Sequence, residues 1–256
     1  MKTSIGFIGG GRVTKIFLEG FKNKSVSFDT IIVYDPGSEK VDSLKTIWPE
    51  IVKAETPEDA ARAKVVILAV HPPMIIETLG KIAATVSEES LVVSLAPKIT
   101  IEMMASKLPT QRVVRMIPNA TSYCNEGYNP VAFHRAMDKK DRKKVKKLFK
   151  PLGKTFETEE FKLEGYAVIS AMLPTYFWFQ WNELENIALQ TGLSAEEAQK
   201  AVSATLRKSI KLYYKSKLTP DEVMDLIPVK PLGENEEEIK NILNSKLLEI
   251  YAKIKP

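Results

Sequence analysis

Ile5-Gly6-Phe7-Ile8-Gly9-Gly10-Gly11-Arg12-Val13-Thr14 reads as a short buried strand, a glycine turn and the first turn of a helix that continues through Ile16, Phe17, Leu18 and Phe21. Such a turn suits a dinucleotide. Gly9 makes the tight bend, Gly11 lets the backbone approach a pyrophosphate without a Cβ in the way, and the helix N-terminus offers unpaired N–H groups and a partial positive charge. Thr14 stands where the fingerprint prefers a third small residue. A glycine cluster by itself also fits a purely steric strand–helix turn. Here the context favours the ligand, because a second strand, Thr30-Ile31-Ile32-Val33-Tyr34, ends at Asp35, where an acid holds the adenosine ribose hydroxyls. Its charge would repel a 2′-phosphate and favour NAD, whereas Ser38 and Lys40 just beyond offer such a phosphate partners. The expected cofactor is NAD or NADP.

Bulk properties narrow the class. The 256 residues are 44% hydrophobic and 27% charged, enough for one large or two smaller cores. The net charge of +5 comes from lysines scattered without an aromatic-interleaved basic stripe, which disfavours nucleic acid. The basic segment Asp138–Lys150 keeps Met137, Val145, Leu148 and Phe149 near helical spacing, so its lysines read as a solvated face. One cysteine, Cys124, rules out an intramolecular disulfide framework, and His71 and His134 lack metal-ligand spacing, so no metal is expected. The longest apolar run, Val65 to Val70, is too short for a bilayer. A soluble, cytoplasmic protein is expected.

Apolar runs at Ile5–Ile8, Ile31–Tyr34, Val65–Val70, Leu91–Leu95 and Arg112–Ile117 alternate with helical patterns. Continuous rather than alternating apolar strands imply a parallel sheet covered on both faces. Thr56-Pro57-Glu58-Asp59 is a helix start with a capping hydroxyl, an early proline and acids at the positive end. A strand at Lys154–Glu157 closes this half. From Phe161 only helices follow, over Glu164–Thr191, Ser194–Lys217, Pro220–Leu226 and Glu234–Lys253. Gly192 ends the first and Ser194-Ala195-Glu196-Glu197 opens the next with a capping box. The expected fold is α/β, a Rossmann-type doubly wound sheet over residues 1–160 followed by an all-helical domain over 161–256. Tyr176, Phe177, Trp178, Phe179 and Trp181 surround one helix with rings, so the helical domain is expected to pack on a second copy, as a homodimer or higher oligomer.

The order of these motifs resembles the pyrroline-5-carboxylate reductase family, with its 6-phosphogluconate-dehydrogenase-like helical C-terminal domain. The opening Ile5–Gly11 is similar to that family's start almost residue for residue. Val66-Ile67-Leu68-Ala69-Val70-His71-Pro72 resembles its strand ending in Val-Lys-Pro, with His71 in place of lysine. Leu91–Ala96 and Val113-Val114-Arg115-Met116-Ile117-Pro118-Asn119 resemble its next two signatures. The resemblance implies NAD(P)H-dependent hydride transfer to a cyclic imine, within proline biosynthesis. It places Gly9, Gly11 and Arg12 around the pyrophosphate, and Ala69, Val70 and Pro72 along the path from adenine to nicotinamide. Asn119 falls beside the nicotinamide and the reacting carbon, and Thr205 where a hydroxyl contacts the substrate. Tyr176 follows Pro174 at the position of the family's Pro-Ala-Tyr, as a catalytic candidate beside Thr205 and Asn119.

The chain departs from the family on the substrate side. Ala171-Met172-Leu173-Pro174-Thr175-Tyr176 stands where the family has Gly-Ser-Gly-Pro-Ala-Tyr. Ile227-Pro228-Val229-Lys230-Pro231-Leu232 stands where it has Ser-Pro-Gly-Gly-Thr-Thr, whose N–H and hydroxyl groups hold the substrate carboxylate. Two prolines have no N–H to donate, and Val229 and Leu232 have no hydroxyl. Two functions remain open: an oxidoreductase acting on a related C=N or C=O small molecule, or a dinucleotide-binding regulatory protein of the same fold that has lost catalysis.

Overall fold

A computed structural model describes residues 3–256, which divide into two compact units. The first runs to Met172 and takes in Ile250–Pro256; the second is Leu173–Glu249. Strand patterns stop near residue 160, but the helical turns just beyond still belong to the first unit.

The first unit is one eight-stranded sheet. Its strands are β1 (Ser4–Ile8), β2 (Thr30–Tyr34), β3 (Ile51–Lys53), β4 (Val65–Leu68), β5 (Leu91–Ser94), β6 (Val113–Met116), β7 (Gly127–Phe133) and β8 (Gly153–Glu157). Their order is β3-β2-β1-β4-β5-β6-β7-β8, parallel throughout except for the antiparallel pair β6/β7. The chain moves outward from β1 to β3 and returns to β4, so the order reverses between β1 and β4, and the crevice beyond their C-terminal ends is where such sheets bind ligands.

Both faces are covered, as the apolar runs require. Ile5 and Phe7 join a core with Phe17, Leu18 and Phe21 of α1 (Arg12–Asn23), Val41 and Leu44 of α2 (Ser38–Ile47), and Phe149 of the basic helix Lys139–Phe149. Phe17 and Phe149 meet with ring centroids 6.0 Å apart. On the opposite face Gly6 lies against Ala60 of α3 (Pro57–Ala61). Full burial of each such side chain stabilises the fold by about 1.5–3 kcal/mol. Thr56 caps α3 as its sequence indicates: its hydroxyl accepts the Asp59 N–H at 3.3 Å while its own N–H donates to Asp59 Oδ2 at 3.1 Å. Further round the unit lie α4 (Pro72–Ile82), α5 (Ile101–Ala105), the Lys139–Phe149 helix, here α6, and α7 (Leu163–Tyr166).

Three features depart from expectation. β3 is a three-residue strand inside a stretch that carries no apolar run. β7 holds Gly127, Asn129 and Pro130, residues that weaken strand propensity, yet Gly127 to Val131 pair with β8. The long helix expected from Glu164 is interrupted: α7 gives way to a π-helical turn at Ala167–Ala171, and α8 (Leu173–Gln190) begins the second unit. Gly192, at φ +94°, ends α8. Ser194 and Glu197 cap α9 (Ala195–Lys215) reciprocally, and α10 (Pro220–Asp225) and α11 (Glu236–Ile254) follow.

Candidate dinucleotide site

The glycine turn is stitched to both neighbouring strands. Gly9 has φ +115°, its N–H donates to Tyr34 O at 2.7 Å, and a Cβ there would lie 2.5 Å from Ala69 O. Thr14, the residue too large for the fingerprint, is fully buried and its hydroxyl donates to Gly9 O, so it braces the turn by a hydrogen bond where a smaller residue would brace it by packing. Gly11 differs. It is the N-cap of α1 without a side-chain cap, and a Cβ on it would meet no protein atom within 4 Å. Packing within the chain does not call for glycine there; close approach of a ligand to the first-turn N–H groups does. The residues present therefore fit a dinucleotide diphosphate.

A cleft of about 650 Å³ opens at this turn, lined among others by Gly10, Gly11, Arg12, Lys40, Ala69 and His71. His71 is the N-cap of α4 and exposed, with Pro72 next as its first residue. Val70 and Pro72 are half-buried beside it and do not line the cleft. Asp35 sits at the end of β2, 9% exposed: Oδ2 accepts Gly10 N–H at 2.8 Å, and Oδ1 accepts Gly37 N–H at 2.9 Å and Lys40 Nζ at 3.1 Å. Gly9, Gly11, Arg12, Asp35 and Ala69 thus come together as read.

Asn119 lies elsewhere, 6% exposed just beyond β6. Its Oδ1 accepts Thr121 N–H at 3.0 Å and Thr121 Oγ1 at 2.6 Å, and its Nδ2 donates to Ser170 O at 3.2 Å and Ser170 Oγ at 3.3 Å. Its own N–H donates to the buried Asn129 Oδ1 at 3.1 Å. The amide is taken up inside the chain, tying the end of β6 to the π-helical turn.

Sequence reasoning missed the residues behind this turn. Arg115, fully buried on β6, donates from Nη1 to Glu160 Oε1 at 3.0 Å and from Nη2 to Glu164, which is itself 1% exposed. Glu160 Oε1 also accepts the Ile101 N–H at 2.7 Å, at the start of α5. The only outward signal was an arginine inside an apolar strand. His134, just beyond β7, is buried, with Nδ1 accepting Ala136 N–H at 3.3 Å.

In the second unit, Tyr176 on α8 is half-buried, and burial pushes its phenol pKa up. Thr205 lies exposed on α9, which packs against α8. Ile227, Val229 and Leu232, in the stretch that replaces the family's anion cradle, are each at least two-thirds exposed.

With this geometry in hand, comparison with known proteins is informative. Residues 4–98 match the family model described as NADP oxidoreductase, coenzyme F420-dependent. The chain is 26% identical to the pyrroline-5-carboxylate reductase of Escherichia coli K12 over 243 residues, covering 94% of this chain and 90% of that one. It is 26% identical to the enzyme of that name from Corynebacterium melassecola, covering 86% and 83%. Among solved structures, Plasmodium falciparum pyrroline carboxylate reductase with NADP bound superposes with a TM-score of 0.82 at 21% identity, covering 99% and 97%. The Streptococcus pyogenes 1-pyrroline-5-carboxylate reductase gives 0.82 at 17%, covering 99% and 98%. The structures establish the fold, and the resemblance read from the opening strand extends along nearly the whole chain.

Proposed function

We propose that this chain is an NAD(P)H-dependent oxidoreductase of the pyrroline-5-carboxylate reductase kind, acting on a small molecule with a C=N or C=O bond. The observation that carries it is Gly11, a glycine that packing does not require, at the uncapped head of α1 in a cleft shared with Arg12 and with Lys40, the partner of the clamped Asp35. Bound NAD(P)H supplies a hydride from its nicotinamide. The chain's own residues do the rest. First-turn amides of α1 and the Arg12 guanidinium hold the diphosphate, and Asp35 fixes the adenosine end. Ala69, Val70 and Pro72 bound the path toward the nicotinamide. Asn119 acts at one remove, holding the π-helical turn through Ser170. Tyr176 and Thr205 are the proposed substrate-side hydroxyls; a phenol is protonated near neutrality and burial pushes that of Tyr176 further up, so it serves as a hydrogen-bond donor.

We infer further that the working form is a cytoplasmic homodimer joined through the second unit. Ala198 is the one buried hydrophobic side chain of Leu173–Glu249, while Phe177, Trp178 and Phe179 on α8 and Ile242 and Leu243 on α11 are at least 40% exposed. A second copy is the occupant such helices suit, since a stable interface needs about 800 Å² from each partner. The lone Cys124 thiol is exposed, which fits a reducing compartment.

The test is NAD(P)H oxidation with pyrroline-5-carboxylate and other cyclic imines, alongside direct cofactor titration. Tight cofactor binding without turnover of any imine or carbonyl would support the second reading, a regulatory dinucleotide-binding protein, which the missing donors at Pro228, Val229, Pro231 and Leu232 favour. Failure to bind either cofactor would sink both.

A further inference from the structure

The parallel strands β1, β4, β5 and β6 have two ends. Gly9 and Ala69 mark the C-terminal end, and Thr3, Lys64, Leu91 and Arg112 mark the other. The extended chain from Thr3 to Gly9, at about 3.3 Å per residue, puts these ends about 20 Å apart. At the N-terminal end, between the strand starts and α6, lies a cavity of about 470 Å³, lined by none of the residues placed on cofactor or substrate. Its floor is apolar: Val65 and Leu91 open their strands, and the buried Met137, Val145 and Leu148 come from α6 and the loop before it. Four of the charged groups on its lining are paired. Arg112 donates from Nη1 to Glu89 O at 2.8 Å and Glu89 Oε2 at 3.0 Å, and from Nη2 to Asp141 Oδ2 at 2.7 Å. Lys144 Nζ donates to Asp141 Oδ1 at 2.8 Å, and this bond, with Arg112 beside it, holds the Asp141 carboxyl below the usual carboxylate range. Two cations and two carboxylates thus satisfy one another. Arg62 and Lys64 remain. Among the described residues Arg62 meets Asp59 alone, through Nε at 3.8 Å, and the Lys64 ammonium bonds to none. With Asp59 beside Arg62, the lining keeps a surplus close to one positive charge.

We propose that this cavity binds a small organic monoanion, a carboxylate on an apolar body, with its head at Arg62 and Lys64 and its body on the floor. The guanidinium fork and the ammonium point charge both suit a carboxylate. The volume lies in the range of small-molecule sites, about 300–1,000 Å³, which are mainly apolar with a few polar groups. The apolar floor asks for the body, since a bare anion would leave Val65, Leu91 and Val145 facing water. A dianion suits the lining less well, because the exposed Glu89 carboxylate on its rim opposes a second negative charge. The inference is independent of the dinucleotide reading, for the cavity and the cleft at the glycine turn share no lining residue.

The experiment is an amide NMR titration of the full chain with phenylacetate, phenylacetamide and acetate, with a melting curve for each variant. Phenylacetate is expected to bind with a dissociation constant on the order of 1 mM. It should shift the amides of Lys64, Leu91 and Val145 and leave those of Gly9 to Thr14 in place. Phenylacetamide keeps the body without the charge, and acetate keeps the charge without the body. Each should bind about tenfold more weakly than phenylacetate, or worse. Lys64→Ala combined with Arg62→Ala should weaken phenylacetate by about tenfold or more, and Lys64→Arg should keep its affinity. Four results overturn the inference: no shift at the strand starts with about 10 mM phenylacetate, shifts confined to the glycine turn, equal binding of phenylacetamide or of acetate, and a folded double variant that binds within about threefold of wild type.

Discussion

The first unit covers its sheet on both faces, while the second leaves most of its large apolar side chains outside. Phe7, Val33, Ile67, Val93 and Val114 are fully buried in the first; in the second, Phe179, Ile227 and Val229 are about two-thirds exposed or more. The contrast shows two ways of closing a core. A sheet with helices on both sides finishes within one chain, whereas the helices of the second unit, in fewer than a hundred residues, leave their large apolar side chains exposed. It also divides the proposed function, whose cofactor side lies in the first unit and whose substrate-side candidates, Tyr176 and Thr205, lie in the second.

The most direct way to break that contrast is to charge the outer faces of the second unit. Phe179→Asp combined with Ile242→Asp should cost association about 3–6 kcal/mol, from two apolar side chains at about 1.5–3 kcal/mol each. Sedimentation velocity should then show monomer at concentrations where wild type is dimeric, and cofactor titration should change little. A double variant that stays dimeric would mean these faces are not the interface.

Next in size is the buried ion pair of the first unit. Glu164→Gln leaves the Arg115 charge with only the half-exposed Glu160, and removing one partner of a buried pair costs about 3–5 kcal/mol. Urea unfolding should show that loss. Arg115→Met together with Glu164→Leu should recover much of it, since the carboxylate left behind, Glu160, is reached by solvent and keeps the Ile101 N–H. Gly9→Ala follows, at about 3 kcal/mol, because φ +115° and a Cβ 2.5 Å from Ala69 O strain both the turn and the strand beside it. Gly11→Ala is the control: no protein atom lies within 4 Å of its Cβ, so it should melt near wild type while binding NADH more weakly.

These sites show what a linear reading reaches. The strand–turn–helix around Gly9, the caps at Thr56 and Ser194, and the strands β4, β5 and β6 are local patterns, written in neighbouring residues. β3 has too few residues for a pattern, and β7 is held by its partner strand against its own composition. The network at the end of β6 is non-local in the same way. Arg115 finds Glu160 and Glu164 at 45 and 49 residues' distance, and Asn119 finds Ser170 at 51. The motif Val113–Asn119 announced both residues without saying that one balances a buried charge and the other anchors a π-helical turn. Asp35 was legible as an acid at the right place, but its clamps on Gly10 and Gly37 depend on the turn already being folded.

The smallest expected effect concerns acid and the caps of the second unit, which share the carboxylate chemistry of Thr56 and Asp59 in the first. In the second unit, Glu197 accepts the Ser194 N–H at 2.8 Å and the Ser194 hydroxyl, and Glu222 accepts the Thr219 N–H at 2.7 Å and the Thr219 hydroxyl. These bonds hold both carboxyls below their ordinary pKa. A carboxylate whose folded pKa is depressed contributes stability that is fully present above its unfolded pKa and is lost as pH falls through the folded one. The caps of α9 and α10 should therefore be intact at neutral pH and fade below the normal glutamate range. Both groups are fully solvent-exposed, so the change should be a small shift in urea midpoint rather than unfolding. Glu197→Gln with Glu222→Gln keeps acceptor oxygens but removes the titration. Its midpoint should fall below wild type at pH 7 and converge with it in acid. A gap that persists unchanged down to pH 2 would show that the charge of these carboxylates contributes nothing to capping the second unit.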